Sequence, residues 1–311
     1  MKKFYKAIIF LAFILIFFIG LEKTYDFFLK ENSNIKTSHI SKNTINADIL
    51  ILGSCGALTT ISPNTIEENT HLKAYNLAEN HVNILENYLS FSLYLQHNKV
   101  PKYLLFSASP ETFDERDNLL HSFHFSPFLN NQTINQTIKE EDPTYFRWTF
   151  IPFMKYAYYN SQLNFNVIQG MKFYINNKNK PYNKDGFLPI KSPKTTKEKI
   201  KLFRPSVKFT TKYTWSKKQE KYLLKIIQLA KSKNIKIIFY DSPMYYYSNI
   251  NRKKRIEIQN RTKKLASRFN IEYLTFDTMK LSMNKENFIS ATLLYEEPSI
   301  EFTKTLSRFF K

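Results

Sequence analysis

The chain has 311 residues, 43% of them hydrophobic, including 28 Phe and 20 Tyr; this fills a core and excludes a disordered polymer. Lys and Arg number 46 against 26 Asp and Glu, a formal charge of +20, and the single cysteine, Cys55, excludes an intramolecular disulfide and any zinc site built on cysteine pairs. Nothing in the composition implies a cofactor or a metal.

The first residues, Met1-Lys2-Lys3-Phe4-Tyr5-Lys6, form a basic lead to the apolar run Ala7–Leu21. Fifteen helical residues reach about 22 Å, short of the ~30 Å hydrocarbon core but within the range of signal segments. Positive charge ahead of the run should hold the N-terminus in the cytoplasm and send the remainder across. No small-x-small cleavage site follows Gly20, so residues 1–21 are expected to be an uncleaved anchor crossing once. Residues 22–46 are polar and read as a stalk. The remaining 265 residues (311 − 46) make one large extracytoplasmic domain, 47–311.

That domain opens with Asp48-Ile-Leu-Ile-Leu52, apolar on both faces and stopped by Gly53, as suits a central parallel strand. Ser62-Pro63 begins a short helix, with the cap residue outside and proline at the first helical position. Leu72–Leu77 reads as a second strand, His81–His97 as a helix and Lys102–Ser107 as a third strand. This βαβαβ order implies a parallel sheet. From about 110 to 214 the periodicity dissolves into aromatic patches between Asn, Lys and Pro clusters, the mark of an insertion. Ser216 then caps a helix running to Lys233, Ile235–Tyr240 is a fourth strand, and Arg252–Phe269 is a basic helix. Glu272–Phe276 is a fifth strand and Pro298–Phe310 a closing helix. The expected fold is α/β, a three-layer α/β/α sandwich on a five-stranded parallel sheet.

Sites in such sheets lie beyond the carboxyl ends of the strands. The first strand ends at Gly53-Ser54-Cys55-Gly56, where the glycines let the chain turn sharply and leave N–H groups for an oxyanion, with Ser54 or Cys55 at the reacting position. Gly56, Asn76 and Asn80 are candidate oxyanion or ligand contacts. Asp241 and Asp277, which end strands four and five, are candidate orienting carboxylates. His81, His121 and His124 follow strands two and three and are the imidazoles available to Cys55. Residues 171–270 hold 27 Lys or Arg against 5 Asp or Glu. Arg252, Lys253, Lys254 and Arg255 put four cations at a helix N-terminus, the unfavourable end of its dipole, which points to anion binding. Outside the cytoplasm, such a surface suits an anionic envelope polymer or lipid headgroups rather than nucleic acid.

Leu52-Gly53-Ser54-Cys55 followed by Ile61-Ser62-Pro63 resembles the first block of the SGNH (GDSL-type) hydrolases. More narrowly, it is similar to the membrane-anchored acyltransferase-type branch linked to acylation of envelope polysaccharides or teichoic acids. Tyr75-Asn76-Leu77, Pro101–Phe106, Asp185–Pro189, Ile237–Pro243 and the closing helix at Phe302-Thr303 extend the likeness across 47–311. The resemblance implies the flavodoxin-like SGNH fold, a bacterial cytoplasmic-membrane location, and as partners a membrane-bound O-acyltransferase and an anionic glycan. It also implies a nucleophile at Cys55 and an Asp-x-x-His pair before the last helix, but those positions hold Ser290 and Leu293. Ser107-Ala108-Ser109 stands where the family has its Gly-x-Asn-Asp oxyanion block. The expectation is a non-catalytic accessory member of that branch. The alternative is an active acyl-ester transferase or esterase using Cys55 or Ser54 with a displaced base.

Overall fold

The computed structural model describes residues 2–113, 119, 121–156, 161–176, 185–204, 215–248 and 252–310. In chain order, α1 (Lys2–Glu31) and α2 (Lys36–Ser41) precede β1 (Ile49–Leu52), α3 (Cys55–Thr60), α4 (Pro63–Thr70) and β2 (Ala74–Asn76). Then come α5 (Ile84–His97), β3 (Tyr103–Ser107), α6 (Ser122–Phe125), α7 (Gln132–Glu141), α8 (Tyr145–Thr149) and α9 (Ser161–Ile175). The last part runs through α10 (Thr196–Leu202), α11 (Lys217–Ser232), β4 (Lys236–Asp241), α12 (Arg252–Arg268) and β5 (Glu272–Thr275). It closes with α13 (Lys280–Met283), β6 (Phe288–Ser290), β7 (Leu293–Leu294) and α14 (Glu296–Ser307). The chain forms two compact units, Met1–Thr44 with Arg116–Tyr182, and Ile45–Glu115 with Asn183–Lys311.

In the first unit, α1 is one continuous helix of 30 residues, about 45 Å long at 1.5 Å per residue. It is long and apolar enough to cross a membrane, and none of its most apolar stretch is buried by protein. The stretch expected to be a polar stalk, 22–46, is largely helical. The last ten residues of α1 pack with α9, and α2 packs beneath α6. Leu29, Ile35, Phe123, Tyr156, Leu163 and Val167 form a small core there. Lys155, 6% exposed, sits between Glu22 (3.0 Å) and Asp26 (2.9 Å). The Asn32 amide donates to Asn166 Oδ1 and its backbone carbonyl. At Gly170 the two helices meet so closely that an added Cβ would lie 1.8 Å from the Phe28 carbonyl oxygen.

In the second unit, five parallel strands run in the order β2-β1-β3-β4-β5. The register pairs Ile51 with Asn76 and with Leu105, and Phe106 with Phe239. Side chains alternate across a strand. Ile49, Ile51, Leu105, Ile238 and Tyr240 therefore share one face, where they form a core with Ala57, Phe276, Phe302 and Leu306. Leu50, Leu52, Leu104, Phe106 and Phe239 are equally buried on the other, and α5, α11 and β4 pack together. Strands buried on both faces explain the unbroken apolar runs that announced them. The helix starts follow their sequence signals. The Ser62 side chain accepts from Thr65 N–H, Asn83 and Glu86 form a capping box on α5, and Ser216 caps α11. Strand order reverses between β1 and β3, so the topology puts the crevice at the end of β1.

Candidate functional site

Gly53 turns the chain out of β1 with φ of 155°, and a Cβ there would fall 2.6 Å from Ala57 Cβ and 2.7 Å from Ser107 Cβ. Only glycine lets the β1 turn sit this tightly on the end of β3. Its N–H is held by Asn87 Oδ1 at 2.9 Å, and the Asn87 amide donates in turn to Asn83 O. The start of α5 thus fixes the turn. Ser54 is fully buried and is the N-cap residue of α3, its hydroxyl 3.9 Å from Cys55 Sγ. Cys55 is partly exposed, and its sulfur accepts the backbone N–H of His81 at 3.2 Å. His81 adopts φ of 57°, the left-handed conformation, which aims that N–H back at the β1 turn.

Around this turn stand hydroxyls that strand-by-strand reading passed over. Ser107 ends β3, and Tyr240 and Ser242 end β4. The Tyr240 hydroxyl is within reach of both serines but not in good hydrogen-bond geometry, and all three oxygens are buried without a well-formed partner, as is Ser109. Burial pushes the Tyr240 hydroxyl far above its ordinary range, so it stays protonated as a donor. Gly56 brings α3 close to this group, since a Cβ there would lie 3.7 Å from Ser242 Oγ. Buried polar groups are nearly always satisfied, so a cluster of unsatisfied hydroxyls just beneath the strand-end turn is an unusual feature of this edge of the sheet. The signal was present in the repeated strand-then-Ser-Pro ending of Phe106–Pro110 and Tyr240–Pro243.

Other expected site residues serve the scaffold. The Asn76 amide donates to the carbonyls of Ala57 (2.9 Å) and Ile61 (3.0 Å), while its oxygen takes the Ala78 N–H. Both ends are engaged in tying β2 to α3, so Asn76 is a clamp and not an oxyanion donor. Asn80 is exposed in the turn before His81. Asp241 is fully buried and lies 3.1 Å from Arg255, which also reaches Asp277 at 2.7 Å and the Ser242 carbonyl at 2.9 Å. Gln259 donates to both carboxylates. Asp241 is therefore held by Arg255 and Gln259 and not presented to a ligand. Burial, then the charge of Asp241, pushes the Tyr273 hydroxyl beside this network well above its usual range.

Arg255 corrects the expected cation cluster. It lies on the inward stripe of α12 with Ile258, Thr262, Leu265 and Ala266, whereas Lys253 is exposed. The side chains of Arg252 and Lys254 lie outside the described residues. Exposed charge on α12 comes instead from Lys253, Arg261, Lys263, Lys264 and Arg268.

Ser290 and Leu293 form the facing ends of the β6–β7 hairpin. β7 packs against α3, the helix that starts at Cys55, and the buried Ser290 hydroxyl has no hydrogen-bond partner. His121 and His124 stack on each other, ring centroids 4.9 Å apart, within the first unit. Among the described residues no group of three or more His, Cys, Asp or Glu side chains is set to hold a metal. No protein-family model matches the chain, and no curated protein matches it.

Proposed function

We propose that the second unit is an SGNH-like domain of the flavodoxin-like, three-layer kind, held outside the cytoplasm by α1, and that it works as a non-catalytic accessory in acyl modification of an anionic envelope glycan. The observation that carries this reading is the β6–β7 hairpin. It packs at α3, where a triad would bring its base to residue 55, and it offers the aliphatic Leu293 and the hydroxyl of Ser290. Both carboxylates at the ends of β4 and β5 are engaged by Arg255, so neither is available to orient an imidazole. Without a base, hydroxyl nucleophiles retain only residual catalysis. What remains at the strand ends is a partly exposed thiol over buried hydroxyls of Ser107, Tyr240 and Ser242, which a polyol or an ester could engage through hydrogen bonds once the turn opens.

Binding tests this directly. Association with purified teichoic acid should weaken steeply with salt, since screening shortens to ~8 Å at physiological ionic strength. Reversing Lys253, Lys263, Lys264 and Arg268 to Glu should abolish it. Binding that survives both would refute the glycan assignment.

A second reading rests on one contact, the His81 N–H at Cys55 Sγ. It puts His81 in the turn beside the only thiol, and an active esterase would use Cys55 as nucleophile and His81 as base. His81→Ala separates the two, because it removes turnover only if turnover exists.

A further inference from the structure

The first unit exposes large apolar side chains that its small core does not use. Phe146 on α8 and Phe150, the residue that caps its C-terminus, stack at 5.4 Å and are 60% and 68% exposed. On α9, Phe165, Ile168, Met171 and Ile175 recur at spacings of three and four, one exposed helical stripe beside the face that meets α1. Soluble surfaces rarely gather such side chains contiguously.

Their height along α1 says what covers them. Asn32 meets Asn166, Phe28 meets Gly170 and Phe27 meets Tyr174, so α9 runs antiparallel to α1 and its C-terminal end points toward the apolar run. From the Phe28–Gly170 crossing, Ile175 lies about 7.5 Å and Leu21 about 10 Å in that same direction. On another side, the Phe153 ring packs 6.2 Å from Phe18 and 5.0 Å from Tyr25, and its N–H donates to Glu22 at 2.6 Å. The segment following Phe150 thus reaches α1 where the apolar run ends. Glu22 and Asp26, the first acids after that run, are both ion-paired with the buried Lys155. Carboxylates close to hydrocarbon are costly unless paired.

We propose that the first unit is a membrane-seated collar: Phe146 and Phe150 at α8 and its C-cap, and Met171 and Ile175 on α9, enter the headgroup and outer acyl region of the bilayer that α1 crosses. This rests on α1 spanning a membrane. Aromatic side chains favour that interface, and continuity with α1 selects lipid over a protein partner. The collar holds the base of α1 at a fixed depth.

Depth-resolved spin labelling of the full chain in phosphatidylethanolamine/phosphatidylglycerol vesicles tests it. In a Cys55→Ala background, single cysteines replace Phe150, Ile175, Val100 in the second unit, and Ile9 in α1. The labels at 150 and 175 should be relaxed by oxygen and shielded from a water-soluble nickel chelate, as at position 9, while position 100 shows the reverse. Aqueous labels at 150 and 175 with a lipid-embedded label at 9 would overturn the collar and leave the anchor standing. An aqueous label at 9 would overturn both. Dipolar broadening at 150 or 175 would assign the face to a second copy of the chain and overturn the lipid assignment.

Discussion

Arg255 shows how position on a helix overrides composition. Four consecutive basic residues read as an exposed anion-binding cluster, but the buried stripe of α12 runs 255, 258, 262, 265, 266. A guanidinium on that stripe must find carboxylates, and it finds Asp241 and Asp277. Removing one partner of a buried ion pair strands the others and costs about 3–5 kcal/mol. Arg255→Ala should therefore lower unfolding stability by about that amount in denaturant titrations. Wild-type stability together with weakened binding to a polyanion would return Arg255 to the surface role. The inward stripe was legible from helical spacing alone. Its polar member was not, because the partners come from the ends of β4 and β5, brought close only by the parallel sheet. Asn76 taught the same lesson. An asparagine after a strand reads equally as donor to a ligand or clamp to the backbone, and only the position of the Ala57 and Ile61 carbonyls decides.

At the scale of elements, β1 to β4 and the caps at Ser62 and Ser216 follow from local signals, because strands buried on both faces and hydroxyl caps leave marks within a few residues. Residues 22–46 did not. Their polar character hides a helix whose stability comes from α9, more than a hundred residues away, and from Lys155. The α1–α9 contact has no room for a side chain at Gly170. Even Gly170→Ala should separate the helices, seen as faster hydrogen exchange in α9 and in residues 22–31 of α1; unchanged protection would show that the close approach does not hold them. The same unit carries a pH response. Burial, aided by Lys42, holds the His39 imidazole below its ordinary 6.5. The folded state then favours neutral His39, so its contribution is complete above that value and is lost as pH falls through the lowered one. Protection of α2 amides should fall on acidification below about 6.5, and His39→Gln should flatten that dependence. A response unchanged in the variant would place the titrating group elsewhere.

For the whole molecule, an apolar helix leads into a small helical unit, and a doubly wound α/β unit follows with its crevice at the reversal of strand order. The parallel sheet was legible from the βαβαβ spacing, while the pairing of 116–182 with the N-terminal helix was not, since nothing local encodes which distant segments share a core. The candidate site was found from the Gly53–Gly56 turn, yet the buried hydroxyls beneath it belong to the ends of β3 and β4 and come together only once those strands are aligned. The central claim is that this crevice binds without turning over. Hydrolysis of short acetyl esters by the full-length protein, compared with Cys55→Ala and His81→Ala, tests that claim most directly. No turnover above the uncatalysed rate is expected in any of the three; measurable turnover by the wild type that either substitution abolishes would make the domain an esterase.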